Sequence, residues 1–215
     1  MNLSTDPKII ELWNKSMGCE HVKRACEVAI TGKHRIILYG ASFTGKSMFV
    51  EVLRANGCEA FETRLCPCGN YGDNSRECIC KPVEIINWRK RAWKDKYGKY
   101  GIKSFISMGS ICIETVRPRS LDCHTGESYE LMYKRVVEAK NNPVPTELHT
   151  DSIKLLDLAY DKLNFTPSQR EFLIEVAKTI SRLDVRKEFA DTILSHHMSE
   201  AIQYLYTDLT KMEVA

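Results

Sequence analysis

Eight residues, Gly40-Ala41-Ser42-Phe43-Thr44-Gly45-Lys46-Ser47, have the spacing G-x-x-x-x-G-K-[ST]. Glycines at these places let backbone amides crowd around phosphate oxygens, Lys46 reaches the terminal phosphates, and the Ser47 hydroxyl can ligate magnesium. The chemistry implied is the cradling of ATP or ADP with Mg2+. Binding and hydrolysis are separate matters, and the loop speaks to the first. A second set is Cys66, Cys68, Cys78 and Cys80, two Cys-x-Cys pairs flanking a loop that contains Asn70, Gly72, Asp73 and Asn74. Four soft thiolates on two close arms can surround zinc tetrahedrally and hold a segment with little apolar material of its own. Reduced thiols packed in a loop are the alternative, and an iron–sulfur cluster ranks third.

The third set runs from Lys81 to Lys103. Lys81, Arg89, Lys90, Arg91, Lys94, Lys96, Lys99 and Lys103 face only Glu84 and Asp95, with Trp88, Trp93, Tyr97 and Tyr100 interleaved. Such cations neutralise phosphates with counterion release, and flat rings stack on unpaired bases, so single-stranded nucleic acid is the partner this chemistry fits. Arg89, Lys90, Arg91, Lys94 and Lys96 form its densest part. A solvated helix face with tryptophans as core anchors is the plainer reading. His196-His197 could invite a metal, but neighbours on a helix point in different directions and make poor joint ligands. A buried or capping role is expected for one of them.

These residues need elements to position them. The apolar run Ile36-Ile37-Leu38-Tyr39 predicts a strand ahead of the loop, and Met48 to Arg54 a helix behind it, whose positive end faces the same anion. Before the strand, Asp6 to Met17 and Glu20 to Ile30 have helical periodicity, the second stopped at Thr31-Gly32. After the loop helix, Glu59 to Leu65 is extended, Val83 to Lys96 a helix, and Phe105 to Val116 β-rich. From about residue 127 the pattern turns helical: Glu127 to Asn141, Asp151 to Leu163, Pro167 to Leu183 with a capped start at Thr166, and a fourth from about Ala190 to Leu209. The expected architecture is an α/β core with a small parallel sheet over residues 1–126, interrupted by the four-cysteine loop 66–80, then an all-helical subdomain over 127–215.

Composition sets outer limits. At 215 residues and 43% apolar, the chain can bury a sizeable core. No stretch approaches the apolar length needed to span a bilayer, and the first residues lack a cationic lead into an apolar segment, so the cytoplasm is the expected location. Nine cysteines, an odd number, fit metal ligation or buried thiols better than a disulfide framework. Cys19, Cys26, Cys58, Cys112 and Cys123 read as small buried hydrophobes.

Together, Gly18 to Ala25, Gly32-Lys33-His34, the phosphate loop, Cys66-Pro67-Cys68-Gly69-Asn70-Tyr71-Gly72-Asp73, Val176 to Ile180 and His197 to Tyr204 resemble successive landmarks of the magnesium-chelatase-like AAA+ ATPases. The likeness is nearest to the bacterial branch that includes a competence-associated DNA helicase. It implies an AAA+ core followed by its lid, ATP at the seam between them, and assembly of copies into a ring. Relative to that family, the section with the Asp-Glu-bearing strand is missing between Lys46 and Cys66. Arg64-Leu65 stands where the family has Asn-Pro before the cysteines. No arginine equivalent to the one that reaches a neighbour's site lies between Lys103 and Arg117, and Pro167-Ser168-Gln169 replaces the lid's Ser-Ala-Arg. Glu114, at the end of Ser110-Ile111-Cys112-Ile113, has the local setting of a magnesium-holding acid, but a strand-end glutamate is more often a solvated edge residue, and Glu62 has the same weakness. The expectation is a nucleotide-binding protein with weak or absent hydrolysis. The competing class is an interaction protein without nucleotide, whose zinc-stapled basic middle segment binds nucleic acid or a protein.

Overall fold

The computed structural model describes residues 3–16, 19–40, 44–62, 109–115, 126–184 and 191–205. Their elements are, in order, α1 (Pro7–Lys15), α2 (Glu20–Gly32), β1 (Ile36–Gly40), α3 (Lys46–Ala55), β2 (Ala60–Glu62), β3 (Ile111–Thr115), α4 (Tyr129–Asn141), β4 (Glu147–Leu148), α5 (Thr150–Leu163), α6 (Pro167–Leu183), β5 (Thr192–Ile193) and α7 (Ser195–Leu205). Local chemistry sets the helix ends. Asp6 accepts from the Lys8 amide just ahead of Pro7, Ser128 accepts from Leu131, and Thr166 and Gln169 form a reciprocal capping box around Pro167. α2 and α5 stop on Lys33 and Asn164, both in the left-handed region that closes a helix C-terminus.

The three long-range strands form a parallel sheet in the order β2-β1-β3. Ile36 lies opposite Ala60 on one side and Ile111 on the other. Ile36, Ile37 and Leu38 are all buried, as a strand covered on both faces requires. A small α/β core followed by a mostly helical part therefore matches the sequence reading in outline. The C-terminal part is not wholly helical, however: Glu147-Leu148 pairs in parallel with Thr192-Ile193. The extended linker after α4 needs partners for its backbone groups, and the turn before α7 supplies them. Ser152 Oγ, donating to the Ile193 carbonyl at 2.7 Å, fastens the same corner.

A single apolar cluster runs through both halves of the described chain. Trp13, fully buried, meets Phe49 of α3 edge-on at 6.3 Å and Tyr129 of α4 at 6.1 Å, and its Nε1 donates to the Glu127 carbonyl at 3.0 Å. Three helices distant in sequence are thus gathered on one indole. Alongside, Glu27 of α2, with 2% of its side chain exposed, takes Arg24 at 2.9 Å and Arg135 of α4 at 2.6 Å. Arg24 continues to Glu200 of α7 at 2.9 Å, and Arg135 to Glu127. Burying Glu27 at the centre of this partly exposed charge ladder costs desolvation, but removing its partners would leave an uncompensated buried charge. No helix among the described residues is long and apolar enough to cross a membrane.

Candidate functional site

The phosphate loop begins where β1 ends. Gly40, Thr44, Gly45, Lys46 and Ser47 are described, and Ala41, Ser42 and Phe43 lie outside the described residues. Gly45 has φ +80°, a conformation that glycine takes without penalty. Immediately after it the chain winds into α3, whose first intrahelical bonds run from Met48 and Phe49 to the Gly45 carbonyl. The amides of Lys46 and Ser47 precede those bonds and project from the positive end of the helix, and no acid occupies its first turn. Among the described residues, an ideal Cβ on Gly45 would meet nothing within 4 Å. The start of α3 falls two residues earlier than the periodicity predicts, because the glycine, not an apolar residue, sets it.

Lys46 is 5% exposed. Its Nζ donates to Thr44 Oγ1 at 3.3 Å, and Thr44 Oγ1 pairs with Thr115 Oγ1 at 2.6 Å. Thr115 ends β3, opposite Gly40, with Glu114 opposite Tyr39. Successive strand residues face opposite sides, so the residue that β3 turns to the loop is Thr115, and Glu114 belongs to the other face. The Glu114 carbonyl meets His21 Nε2 of α2 at 2.9 Å, which ties the start of that helix to the same strand end. Thr115 and His21 were not legible as parts of this site, because nothing in the sequence told which strand lies beside β1. The donor set fits a nucleotide's phosphates: helix amides, a lysine folded over the loop, and a hydroxyl, Ser47, that would hold magnesium.

At the other end of β1, α6 meets the sheet. His34, just before the strand, donates from Nε2 to Thr179 Oγ1 at 2.8 Å, while that hydroxyl donates to the Glu175 carbonyl. His34 also packs edge-on against Phe172 at 5.8 Å, and burial pulls its pKa down to about 4. A five-residue strand is roughly 16 Å long, so this α6 contact lies a strand's length from the loop.

Cys66, Cys68, Cys78 and Cys80 lie outside the described residues, as do Arg89, Lys90, Arg91, Lys94 and Lys96, the rest of the basic run, the helix expected over 83–96, and Cys123. Cys19, Cys26, Cys58 and Cys112 are buried, as expected of small hydrophobes. Burial pushes the Cys58 thiol up to about 11 and the Cys112 thiol up to about 12, so both stay protonated near neutrality.

The two adjacent histidines behave differently from the expectation that they diverge. In the first turn of α7 both rings fold back on Asp184, with Nε2 to Oδ2 distances of 3.0 Å for His196 and 3.1 Å for His197, and the three side chains offer ligand atoms within 4.8 Å of one another. His197 Nδ1 accepts from the Leu194 amide at 3.1 Å, so the neutral ring carries its proton on Nε2 and donates it to Asp184. A metal at Nε2 would displace that proton and leave the ring with none. His197 is a buried cap on α7, joined to the end of α6, as one of the pair was expected to be.

Residues 13–63 match the family model described as magnesium chelatase, subunit ChlI. That stretch covers the last turn of α1, then α2, β1, the phosphate loop, α3 and β2, and it supports a relationship to the magnesium-chelatase-like AAA+ ATPases. No curated protein matches the chain.

Proposed function

We propose that the protein binds ATP or ADP with Mg2+ through residues 40–47 and hydrolyses ATP slowly or not at all. The observation that carries this reading is the pairing of a buried Lys46 beside left-handed Gly45 with Thr115, a hydroxyl, on the adjoining strand. A phosphate cradle needs the first two features. Hydrolysis needs a group that orients water and charges that stabilise the transferring phosphoryl, and a threonine supplies neither.

Thermal unfolding with magnesium and ATP tests the binding half. At a hundredfold excess over Kd, a ligand held only by the folded chain adds about 2.7 kcal/mol, or roughly 5–10 °C in Tm for a chain of this size. Lys46→Ala should erase the shift, and an equal shift in that variant would refute the cradle. A turnover assay tests the other half, where fast hydrolysis lost with Lys46→Ala would overturn the slow-ATPase reading.

On this reading the chain is a shortened relative of the competence-associated DNA helicase branch, with a core over 1–126 and a lid over 127–215. Its copies assemble as a nucleotide-dependent switch on single strands, held by the basic run around Arg89 to Lys96, with zinc on the four cysteines. Affinity for single-stranded DNA should fall steeply with salt, and a flat salt dependence removes the nucleic-acid arm. One zinc per chain, lost on replacing Cys66 and Cys68 with serine, is the expected metal analysis.

A further inference from the structure

A concave cleft of about 540 Å³ lies beyond the N-terminal end of β1, where α2, α4 and α6 converge. Among the described residues, the charged side chains on its walls are Lys33, Lys140, Lys178 and Arg182 against Glu175, with neutral His34 between them. Lys178 is paired with Glu175 at 2.7 Å. Arg182 spends Nε and one terminal nitrogen on the carbonyls of Ala139 and Lys140, at 3.0 and 2.9 Å, and so caps α4 while staying fixed on the wall. The hydroxyl of Thr179 is already engaged with His34 and the Glu175 carbonyl.

Lys140 stands apart. Among the described residues its ammonium has no carboxylate or hydrogen-bond acceptor, and it is half-buried. Burial and the neighbouring cations Lys33 and Arg182 all lower its pKa, with the Cys58 thiol alone opposing. Three helix C-termini meet here, and their partial negative charge offsets part of the positive excess. Arg182 answers the end of α4 directly, and Lys140 remains beside a hollow wide enough for a small molecule.

We infer that this cleft is a second anion site, which takes a phosphate-bearing small molecule between Lys140, Lys33 and Arg182, a strand's length from the phosphate loop. An oxyanion there gives Lys140 its missing acceptor and relieves the mutual repulsion of the three cations. The site stands independently of the loop at residues 40–47, and the two can be separated experimentally.

The test is calorimetric titration of the full chain with inorganic pyrophosphate, without magnesium and at low ionic strength. In the Lys46→Ala background one binding event should persist and weaken with added salt. Adding Lys140→Gln should weaken it roughly ten- to a hundredfold, the loss of one charge-assisted hydrogen bond, and Lys140→Arg should restore most of it. Lys140→Gln alone should leave the magnesium–ATP thermal shift in place, and its Tm without ligand should equal or exceed the parent's, since a repelled cation is removed. Lys33→Gln serves as a second variant with the same expected direction. The proposal is overturned if Lys46→Ala abolishes all pyrophosphate binding, or if the surviving event ignores both lysine substitutions.

Discussion

The two ends of β1 both gather positive charge, and they do it by different means. At the C-terminal end, one lysine and the first amides of α3 come from adjacent residues, Lys46 and Ser47. At the N-terminal end, Lys33, Lys140, Lys178 and Arg182 arrive from three helices separated by up to about 150 positions. The glycines differ in the same way. Gly45 is required by its backbone, with φ +80° and nothing among the described residues within 4 Å of a Cβ, whereas Gly32 is required by its surroundings, because a Cβ there would come within 2.1 Å of His34 Nε2 and 2.5 Å of Thr179 Oγ1. The lesson is that a site coded by conformation can be read locally, and a site coded by packing cannot.

The strongest way to break that contrast is to attack what both ends share. Glu27 sits in the middle of α2, held by Arg24 and Arg135. Glu27→Ala leaves two partly buried guanidinium groups without it and should cost about 3–5 kcal/mol in denaturant unfolding. Binding at both ends should weaken together. A variant that lost one and kept the other would mean the two ends are not held by a common frame.

Acid should act on the N-terminal end first. His34 has a folded pKa of about 4 against an ordinary 6.5, with burial the main cause and the Glu175 charge opposing it. The unfolded chain takes up this proton at higher pH than the folded one, so the contribution is whole above pH 6.5 and is lost as pH falls toward 4. Its size is about 2–3 kcal/mol. Subtracting the stability profile of His34→Gln from that of the parent should isolate this slope. Burial also lowers the His197 pKa, so some acid sensitivity should persist in the variant. A difference profile that stays flat between pH 6.5 and 4 would show that His34 is not held neutral.

The glycine pair sharpens the comparison at smaller amplitude. Gly32→Ala should cost about 1–3 kcal/mol, as overpacked sites do, with magnesium–ATP binding retained in the surviving folded protein. Gly45→Ala should cost about 1–2 kcal/mol from the left-handed backbone alone and weaken ATP disproportionately. Equal losses of ATP affinity in both variants would erase the distinction between them. The smallest expected effect is that of Thr115→Val, about 1 kcal/mol for the lost bond to Thr44, with little change in the proposed slow hydrolysis. If Thr115→Asp raised turnover, the hydroxyl would be identified as the limiting feature of the site.

Much of the scaffold could be read residue by residue. The bounds of α6 were legible from Thr166-Pro167 and the following period, and the start of β1 from its apolar run, because caps and burial on both faces leave local marks. The β4–β5 pairing was not legible: two residues of strand have no periodicity to display. Nor was the turn of His196 toward Asp184, since a helix's first turn lets side chains fold back in a way that helical spacing does not describe.

The chemistry divides along the same line. Sequence by itself marked the glycine-lysine-serine loop at residues 40–47, the serine proposed to hold magnesium, and the conformation that Gly45 must take, because these depend on bonds among near neighbours. Only the tertiary structure decided that β3 lies beside β1 in a register that turns Thr115 to the loop and Glu114 away from it. It alone carried Lys140 to Lys33. Strand register and helix convergence are settled by the packing of the whole core, and a shift of one residue would reverse every face.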